Sequence, residues 1–172
     1  MDDEGEKISG KYVPFIEAFR KICVDGESLD MLPRQMREGM IRGNFVFKVS
    51  LGKIWRIIAI SSEDTLHGLH LAIQDAFRFD NDHLYAFYMD NRRFSEYSFE
   101  HPYSDDAPSA DDAIIGNIDL VVNQQILYLF DFGDEWCFDV KLVEIQKDKP
   151  LLSEPKILES KGKAPEQYGE WY

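Results

Sequence analysis

The stretch from Thr65 to Phe77 constrains the fold more than any other part of the chain. Apolar residues recur in it at steps of three and four, the spacing that places side chains on one face of an α-helix. These residues are Leu66, Leu69, Ile73, Ala76 and Phe77. His67, Gln74 and Asp75 fall on the other face. The pattern predicts one amphipathic helix that packs its apolar stripe against another element.

Strand patterns precede and follow this helix. Residues 44–51 alternate between apolar and polar side chains and residues 54–60 are almost continuously apolar, so a hairpin is the simplest assignment before the helix. Further strand patterns occupy residues 83–89, 94–99, 125–132 and 136–145. Aromatic residues make up 13% of the chain, and rings pack well on a half-buried sheet. The sequence therefore predicts an α+β fold: one mostly antiparallel sheet with the central amphipathic helix packed on it.

The two ends of the chain differ in composition from its middle. Residues 1–43 carry two short helical patterns and are predicted to form a small helical N-terminal extension. Residues 44–145 are the predicted core domain. Residues 146–172 are rich in Lys, Pro, Glu and Ser and are predicted to be an irregular tail. Three aromatic residues near its end can anchor the tail or form a contact surface: Tyr168, Trp171 and Tyr172.

The net charge of −13, from 32 acidic and 19 basic residues, bounds the class of partner. A negative field repels phosphate backbones, so nucleic-acid binding is disfavoured. Six basic residues in the first third leave a local patch open, although such a group is usually a solvated face: Arg34, Arg37, Arg42, Lys48, Lys53 and Arg56. No apolar run approaches the roughly 20 residues of a membrane span, and the acidic start is unlike a signal peptide. These features predict a cytoplasmic protein without membrane binding.

Histidines and acidic residues supply the candidate site. His67 and His70 are three positions apart on the predicted helix, a spacing that can ligate a metal, but His70 also suits a hydrogen-bonded position at the edge of the core. Asp131 and Asp134 lie on either side of Gly133, the leading residue of a predicted two-residue type II′ turn, Gly133-Asp134. No cofactor is assigned. A divalent cation is retained as an alternative, with four candidate ligands: His70, His83, Asp131 and Asp134.

Other catalytic patterns are missing from the sequence. There is no phosphate-binding loop and no nucleophile elbow, and Cys137 falls within a strand pattern without a histidine partner nearby in sequence. Cys23 and Cys137 show no metal-binding spacing; two free thiols are favoured, and a disulfide stays open. Nothing in the sequence therefore requires an enzyme.

Several motifs, in order along the chain, resemble the plasmid pRiA4b ORF-3-like family. They are Phe47-Lys48-Val49-Ser50-Leu51, Ile54-Trp55-Arg56, Thr65-Leu66, Leu69-His70, Ile73-Gln74, Ala76-Phe77, His83-Leu84, Asp131-Phe132-Gly133-Asp134 and Trp136. The resemblance covers about residues 44–145 and extends to a tail motif at Ala164-Pro165-Glu166 and Gly169. The chain departs from the family where Tyr85, Phe138 and the pair Gln167-Tyr168 stand in place of two histidines and a Cys-Gly pair.

The resemblance implies an α+β domain of unestablished biochemical role, bacterial and borne by a plasmid or mobile element, whose relatives are often described as TnpR-type transposon passenger proteins. Five matching positions form the candidate functional cluster: His70, His83, Asp131, Asp134 and Trp136. The predicted function is a non-catalytic binding or interaction module with a protein partner. Two alternatives stay open, a divalent-metal-dependent hydrolase or nuclease-like enzyme and a mobile-element-linked nucleic-acid regulator.

Overall fold

A seven-stranded antiparallel sheet is the main element of the computed structural model, which describes residues 39–169. The strands are β1 (Asn44–Leu51), β2 (Ile54–Ser61), β3 (Tyr85–Tyr88), β4 (Ser98–Glu100), β5 (Gln125–Phe130), β6 (Trp136–Gln146) and β7 (Lys156–Lys161). They lie in the order β4-β3-β5-β6-β1-β2-β7. Within the described residues, one α-helix, α1 (Leu66–Phe77), and a 3-10 turn (Ile115–Asn117) complete the regular structure.

The predicted α+β class is wrong. Only one helix of seven or more residues occurs among residues 39–169, and 11% of the structure is helical, so the fold is mostly an antiparallel sheet. The first predicted N-terminal helix and most of the second lie in residues 1–38, outside the described part, and residues 39–43, where the second was expected to end, are not helical. The sequence patterns predicted more helix than residues 39–169 contain, and they did not predict β7.

Helix α1 forms where the sequence predicts it. Thr65 caps its start, and its hydroxyl oxygen accepts a hydrogen bond from the Gly68 N–H at 3.1 Å. The helix ends at Arg78, whose left-handed φ of 57° turns the chain away. Its apolar stripe is buried in the same core as side chains from β1, β2, β5 and β6. Gln74 was predicted to face away from the core but is only 3% exposed, because the Tyr128 hydroxyl offers it a partner beneath the helix.

The connection between β5 and β6 differs from the predicted type II′ turn. It is a five-residue loop, residues 131–135, and its positive φ angles fall on Asp131 (60°) and Glu135 (54°), not on Gly133. The Asp131 carboxylate accepts hydrogen bonds from the N–H groups of Gly133 at 2.9 Å and Asp134 at 3.3 Å. Aspartate tolerates the left-handed region and bonds the backbone ahead of it, so Asp131 organises this loop.

The two edges of the sheet are built differently. Strand β4 is three residues long, and residues 108–110 cover its outer side: Glu100 N–H donates to the Pro108 carbonyl at 2.9 Å, and Ala110 N–H donates to the Glu100 carbonyl at 2.8 Å. Strand β7 is six residues long, pairs with β2 and is exposed throughout. It lies in the predicted irregular tail, so that segment is partly a strand, although the division into three domains stays a prediction.

No helix within residues 39–169 is long and apolar enough to cross a membrane.

Candidate functional site

His70 lies on the buried side of α1 and has no exposed surface. Its ring stacks on Tyr85 with centroids 3.7 Å apart and an interplanar angle of 11°. Its Nδ1 is 2.6 Å from the Tyr128 hydroxyl, and its Nε2 is 2.6 Å from Oδ1 of Asn81. Because the Asn81 oxygen can only accept, His70 carries its proton on Nε2 and accepts from Tyr128 through Nδ1. Both ring nitrogens are therefore engaged.

Burial lowers the pKa of His70 from 6.5 to about 3. Removal from water disfavours the imidazolium form, and the charges of His67 and His101 act in the same direction, against the hydrogen bond to Asn81. A neutral ring with both nitrogens bonded inside the core has no free atom to offer a ligand from solvent.

A partly buried layer of rings continues from His70 toward the start of α1. His67 Nδ1 is 2.6 Å from the Tyr85 hydroxyl, and its ring centroid lies 5.5 Å from that of His70 and 6.3 Å from that of His101. Burial, and then the charge of His67, lower the pKa of His101. The layer joins α1 to β3 and β5 by ring packing and hydrogen bonds.

His83 stands at the surface beside carboxylates. Its Nδ1 is 2.8 Å from Asp82, and its Nε2 is 3.6 Å from Asp131. The hydrogen bond to Asp82 raises the pKa of His83, and the charges of Asp131 and Asp134 add to it. The Tyr168 hydroxyl also donates to Asp82, which raises the pKa of Tyr168 to about 12. This cluster therefore ties the loop after α1 to the C-terminal segment.

Gln167 adds a second attachment of that segment. Asp80 N–H donates to Gln167 Oε1 at 2.5 Å, and Gln167 Nε2 donates to the Asp80 carbonyl at 3.1 Å. Tyr168 keeps 45% of its surface exposed. Trp171 and Tyr172, the other predicted anchors, lie outside the described residues. The chain thus places Gln167 and Tyr168 in contact with the loop after α1.

The five residues singled out from the sequence do not share one cavity. His83 and Asp131 come together, and Asp134 lies in the same loop with its N–H bonded to Asp131. His70 lies behind Phe130, whose ring centroid is 6.1 Å from those of both His70 and His83. The surface pair and the buried histidine are therefore separated by a core side chain.

Trp136 begins β6 and packs edge-on against Phe79, with ring centroids 4.9 Å apart. Its Nε1 is buried and has no hydrogen-bond partner among residues 39–169. In the same part of the chain, no three His, Cys, Asp or Glu side chains are grouped so that they could hold a metal ion. A metal-binding or catalytic role for the five residues stays a prediction.

A groove runs between α1 and β7. One hollow of about 780 Å³ opens between the C-terminal end of α1, β2, β7 and residues 162–168. A second, of about 390 Å³, lies between the middle of α1 and residues 154–157. Asp75 and Ile157 line both hollows, which together we call the α1–β7 groove. Leu71, which is 44% exposed, gives it an apolar wall.

Arg56 lines the larger hollow, here called the Arg56 hollow, although only 7% of the residue is exposed. Its Nε donates to the Ala76 carbonyl at 3.1 Å, and its Nη1 donates to the carbonyls of Trp55 at 2.9 Å and Lys161 at 3.1 Å. The guanidinium carbon is 4.9 Å from the centroid of the Phe77 ring. Among residues 39–169, Arg56 forms no ion pair and its Nη2 has no hydrogen-bond partner.

Sequence reasoning missed Arg56 as a candidate. It placed Arg56 in a basic group expected to be a solvated face, which is wrong for this residue but right for Arg42, whose side chain is 72% exposed. Arg34 and Arg37 lie outside the described residues. The available signal was a single charge within the nearly continuous apolar run 54–60, because such a charge is buried only when it is held by partners. No comparable signal marked Ile157.

These features define the class of protein: an antiparallel β domain with one helix, one covered sheet edge and one open edge beside the helix. Residues 45–170 match the model of the plasmid pRiA4b ORF-3-like protein family. The chain therefore belongs to this family. The match extends past the predicted core domain and includes β7 and residues 162–168, which line the Arg56 hollow. A bacterial, plasmid or mobile-element origin stays a prediction.

Among solved structures, the chain is similar to MM3350 from Methanosarcina mazei Go1, a protein of unknown function. The two share 26% sequence identity and superpose with a TM-score of 0.61 over 73% of this chain and 72% of that one. No curated protein matches the chain significantly. The comparisons therefore support an uncharacterised domain.

Proposed function

We propose that this protein is a non-catalytic binding module that takes an extended segment of a protein partner along β7, within the α1–β7 groove. An open edge strand can recognise an extended polypeptide by main-chain hydrogen bonds, with neighbouring pockets for alternate side chains. The observation that carries the proposal is that one edge of β7 is unpaired among residues 39–169. It pairs with β2 on one side, and no strand within residues 39–169 pairs with it on the other.

The contrast with the opposite edge supports this function. A long, open strand with apolar side chains is a template for unwanted pairing, so natural sheets shorten or cover their edges. Strand β4 is short and covered by residues 108–110. Strand β7 is longer and presents Ile157 and Leu158, which are 46% and 52% exposed. An edge left open on one side of the same sheet is consistent with use in pairing.

The groove would give a bound segment its side-chain contacts. Successive side chains of a strand point to opposite faces, so every second one would face α1. Leu71 and Ile157 would meet apolar side chains there, and Arg56 would meet a polar one. The hollows of about 780 and 390 Å³ fall in the size range of natural ligand pockets.

Selection of random peptides displayed on phage, with the full chain as bait, tests the proposal. Selected peptides are then titrated by fluorescence polarisation against the wild type, Ile157→Asp and Val122→Asp. Val122 is a matched control because it is 45% exposed and lines neither hollow. We expect Ile157→Asp to weaken binding by about tenfold or more, equivalent to about 1.4 kcal/mol, and Val122→Asp to leave it unchanged.

Hydrogen exchange gives an independent measurement. A segment paired with β7 would slow amide exchange within residues 156–161, because N–H groups on the open side would gain acceptors. If no peptide is enriched, or if bound peptides leave exchange in β7 unchanged and bind Ile157→Asp normally, the proposed function is wrong.

A further inference from the structure

We infer that the Arg56 hollow binds a carboxylate group of the segment that pairs with β7. The inference rests on the proposed function and specifies the chemistry that the groove recognises. Its starting point is the guanidinium of Arg56, which is buried, lines an open hollow and has no carboxylate partner among residues 39–169.

The contacts of Arg56 within residues 39–169 fix its position without balancing its charge. Three of its five N–H groups donate to the carbonyls of Ala76, Trp55 and Lys161, and the ring of Phe77 holds the guanidinium plane. Carbonyl groups carry no net charge, and arginine stays protonated at any physiological pH. A buried charge is costly unless an opposite charge accompanies it, so an anion in the hollow would supply the missing partner.

The other charged groups of the hollow favour a singly charged anion. Arg78 and Lys163 lie with Arg56 along its lining, and three acidic residues line it too: Asp75, Asp80 and Glu166. Three cations therefore stand beside three acids, whereas the whole chain carries −13. A dianionic phosphate would add two negative charges to a lining whose formal charges already cancel. A carboxylate adds one negative charge and can accept from the Nη2 hydrogens, which have no acceptor within residues 39–169.

The carboxylate can come from an acidic side chain or from the C-terminus of the partner. Nuclear magnetic resonance of the full chain distinguishes these sources through the Nε–H signal of Arg56, which we expect the bond to the Ala76 carbonyl to protect from exchange with water. The probes are three capped single amino acids: acetyl-glutamate amide, acetyl-glutamine with a free terminal carboxylate, and acetyl-glutamine amide as the neutral control. We expect a saturable shift of the Arg56 signal with one or both charged probes and none with the neutral probe.

Variants locate the binding group. Arg56→Lys keeps the charge but loses the fixed fork, and we expect it to weaken probe binding by about tenfold or more, the typical loss of a charge-assisted contact. If Arg56→Lys does not fold, Lys163→Gln, on an exposed residue of the same lining, is expected to weaken binding about twofold to fivefold, as loss of a rim charge does. Equal shifts with the neutral probe, or shifts that do not saturate, would overturn the inference.

Failure of the inference and failure of the proposed function give different results. If selected peptides protect β7 but keep their affinity when their carboxylates are replaced by amides, the carboxylate inference is wrong and the proposed function stands. If the charged probes bind at Arg56 but no peptide pairs with β7, the hollow is a site for small acids and the proposed function is wrong.

Discussion

His70 and Arg56 are both polar residues buried beside α1, yet their surroundings differ. His70 has both ring nitrogens bonded and stays neutral because burial lowers its pKa to about 3. Arg56 keeps its charge, has no ion pair within residues 39–169 and lines an open hollow. A buried polar residue with every bond made supports the core, whereas one with spare bonding capacity beside a cavity indicates a place for a ligand.

His70→Ala should have the largest effect on stability and none on peptide binding. It removes a fully buried ring stacked on Tyr85 and leaves the Tyr128 hydroxyl without its acceptor, which should lower the free energy of unfolding by about 4 kcal/mol. Urea denaturation measures the change, with His83→Ala at the surface as the control, expected within about 0.5 kcal/mol of the wild type. If His70→Ala lowers the free energy of unfolding by less than about 1 kcal/mol, the contacts of His70 with Tyr85 and Tyr128 do not stabilise the core.

Acidification should lower the free energy of unfolding through protonation of His70. The pKa of His70 is about 3 in the folded chain, against 6.5 for a histidine exposed to water, so the unfolded chain binds the proton first as pH falls. Stability from His70 is complete above pH 6.5 and is lost as the pH falls from there toward 3, by about 3 kcal/mol at pH 4. His70→Gln lacks this loss, so the gap in unfolding free energy between wild type and variant should narrow by that amount. If the difference in unfolding free energy between wild type and His70→Gln stays constant with pH, the lowered pKa of His70 is wrong.

Arg56→Met should cost less stability than His70→Ala but should abolish carboxylate binding. Three carbonyl groups lose a charged donor, for which about 2 kcal/mol is expected. Arg78→Met is the matched control, because Arg78 is exposed in the same hollow, and its stability should stay within about 0.5 kcal/mol. Thermal or urea unfolding together with the probe titration separates the two effects. Retention of carboxylate binding in a folded Arg56→Met protein would remove the distinction drawn between the two residues.

Tyr168→Phe should have the smallest effect. It removes one hydrogen bond to Asp82 at the surface, so the free energy of unfolding should stay close to that of the wild type. Amide exchange in residues 162–169 should become faster, because residues 162–168, which line the Arg56 hollow, lose one attachment to the loop after α1. The hydrogen bonds between Gln167 and Asp80 remain. Tyr103→Phe, at a residue that is 86% exposed and outside the groove, should leave that exchange unchanged. Equal exchange in both variants would mean that Tyr168 does not secure residues 162–168.

The helix and the central strands could be predicted because their signals are local. The steps of three and four in residues 66–77 and the alternation in residues 44–51 each indicate one conformation without reference to the rest of the chain. Strand β7 could not be predicted, since its side chains face solvent on both sides and show no alternation.

The candidate site was less predictable than the elements that carry it. His83 and Asp131 were singled out together and do lie 3.6 Å apart, while His70 proved to be enclosed in the core. The type II′ turn was assigned to Gly133 because glycine tolerates positive φ, yet Asp131 and Glu135 take that conformation. The carboxylate of Asp131 stabilises the loop by bonds to its own backbone, an interaction that residue type alone does not reveal.

The sequence by itself determined where α1 begins and ends, which segments form the central strands, and the resemblance to the family to which the chain belongs. Only the tertiary structure decided which polar residues are sealed and which face a cavity. Periodicity acts over a few neighbouring residues, but burial depends on contacts between distant ones. Arg56 bonds to the carbonyl of Lys161, 105 positions away, and that contact joins β2 and β7 where the Arg56 hollow forms.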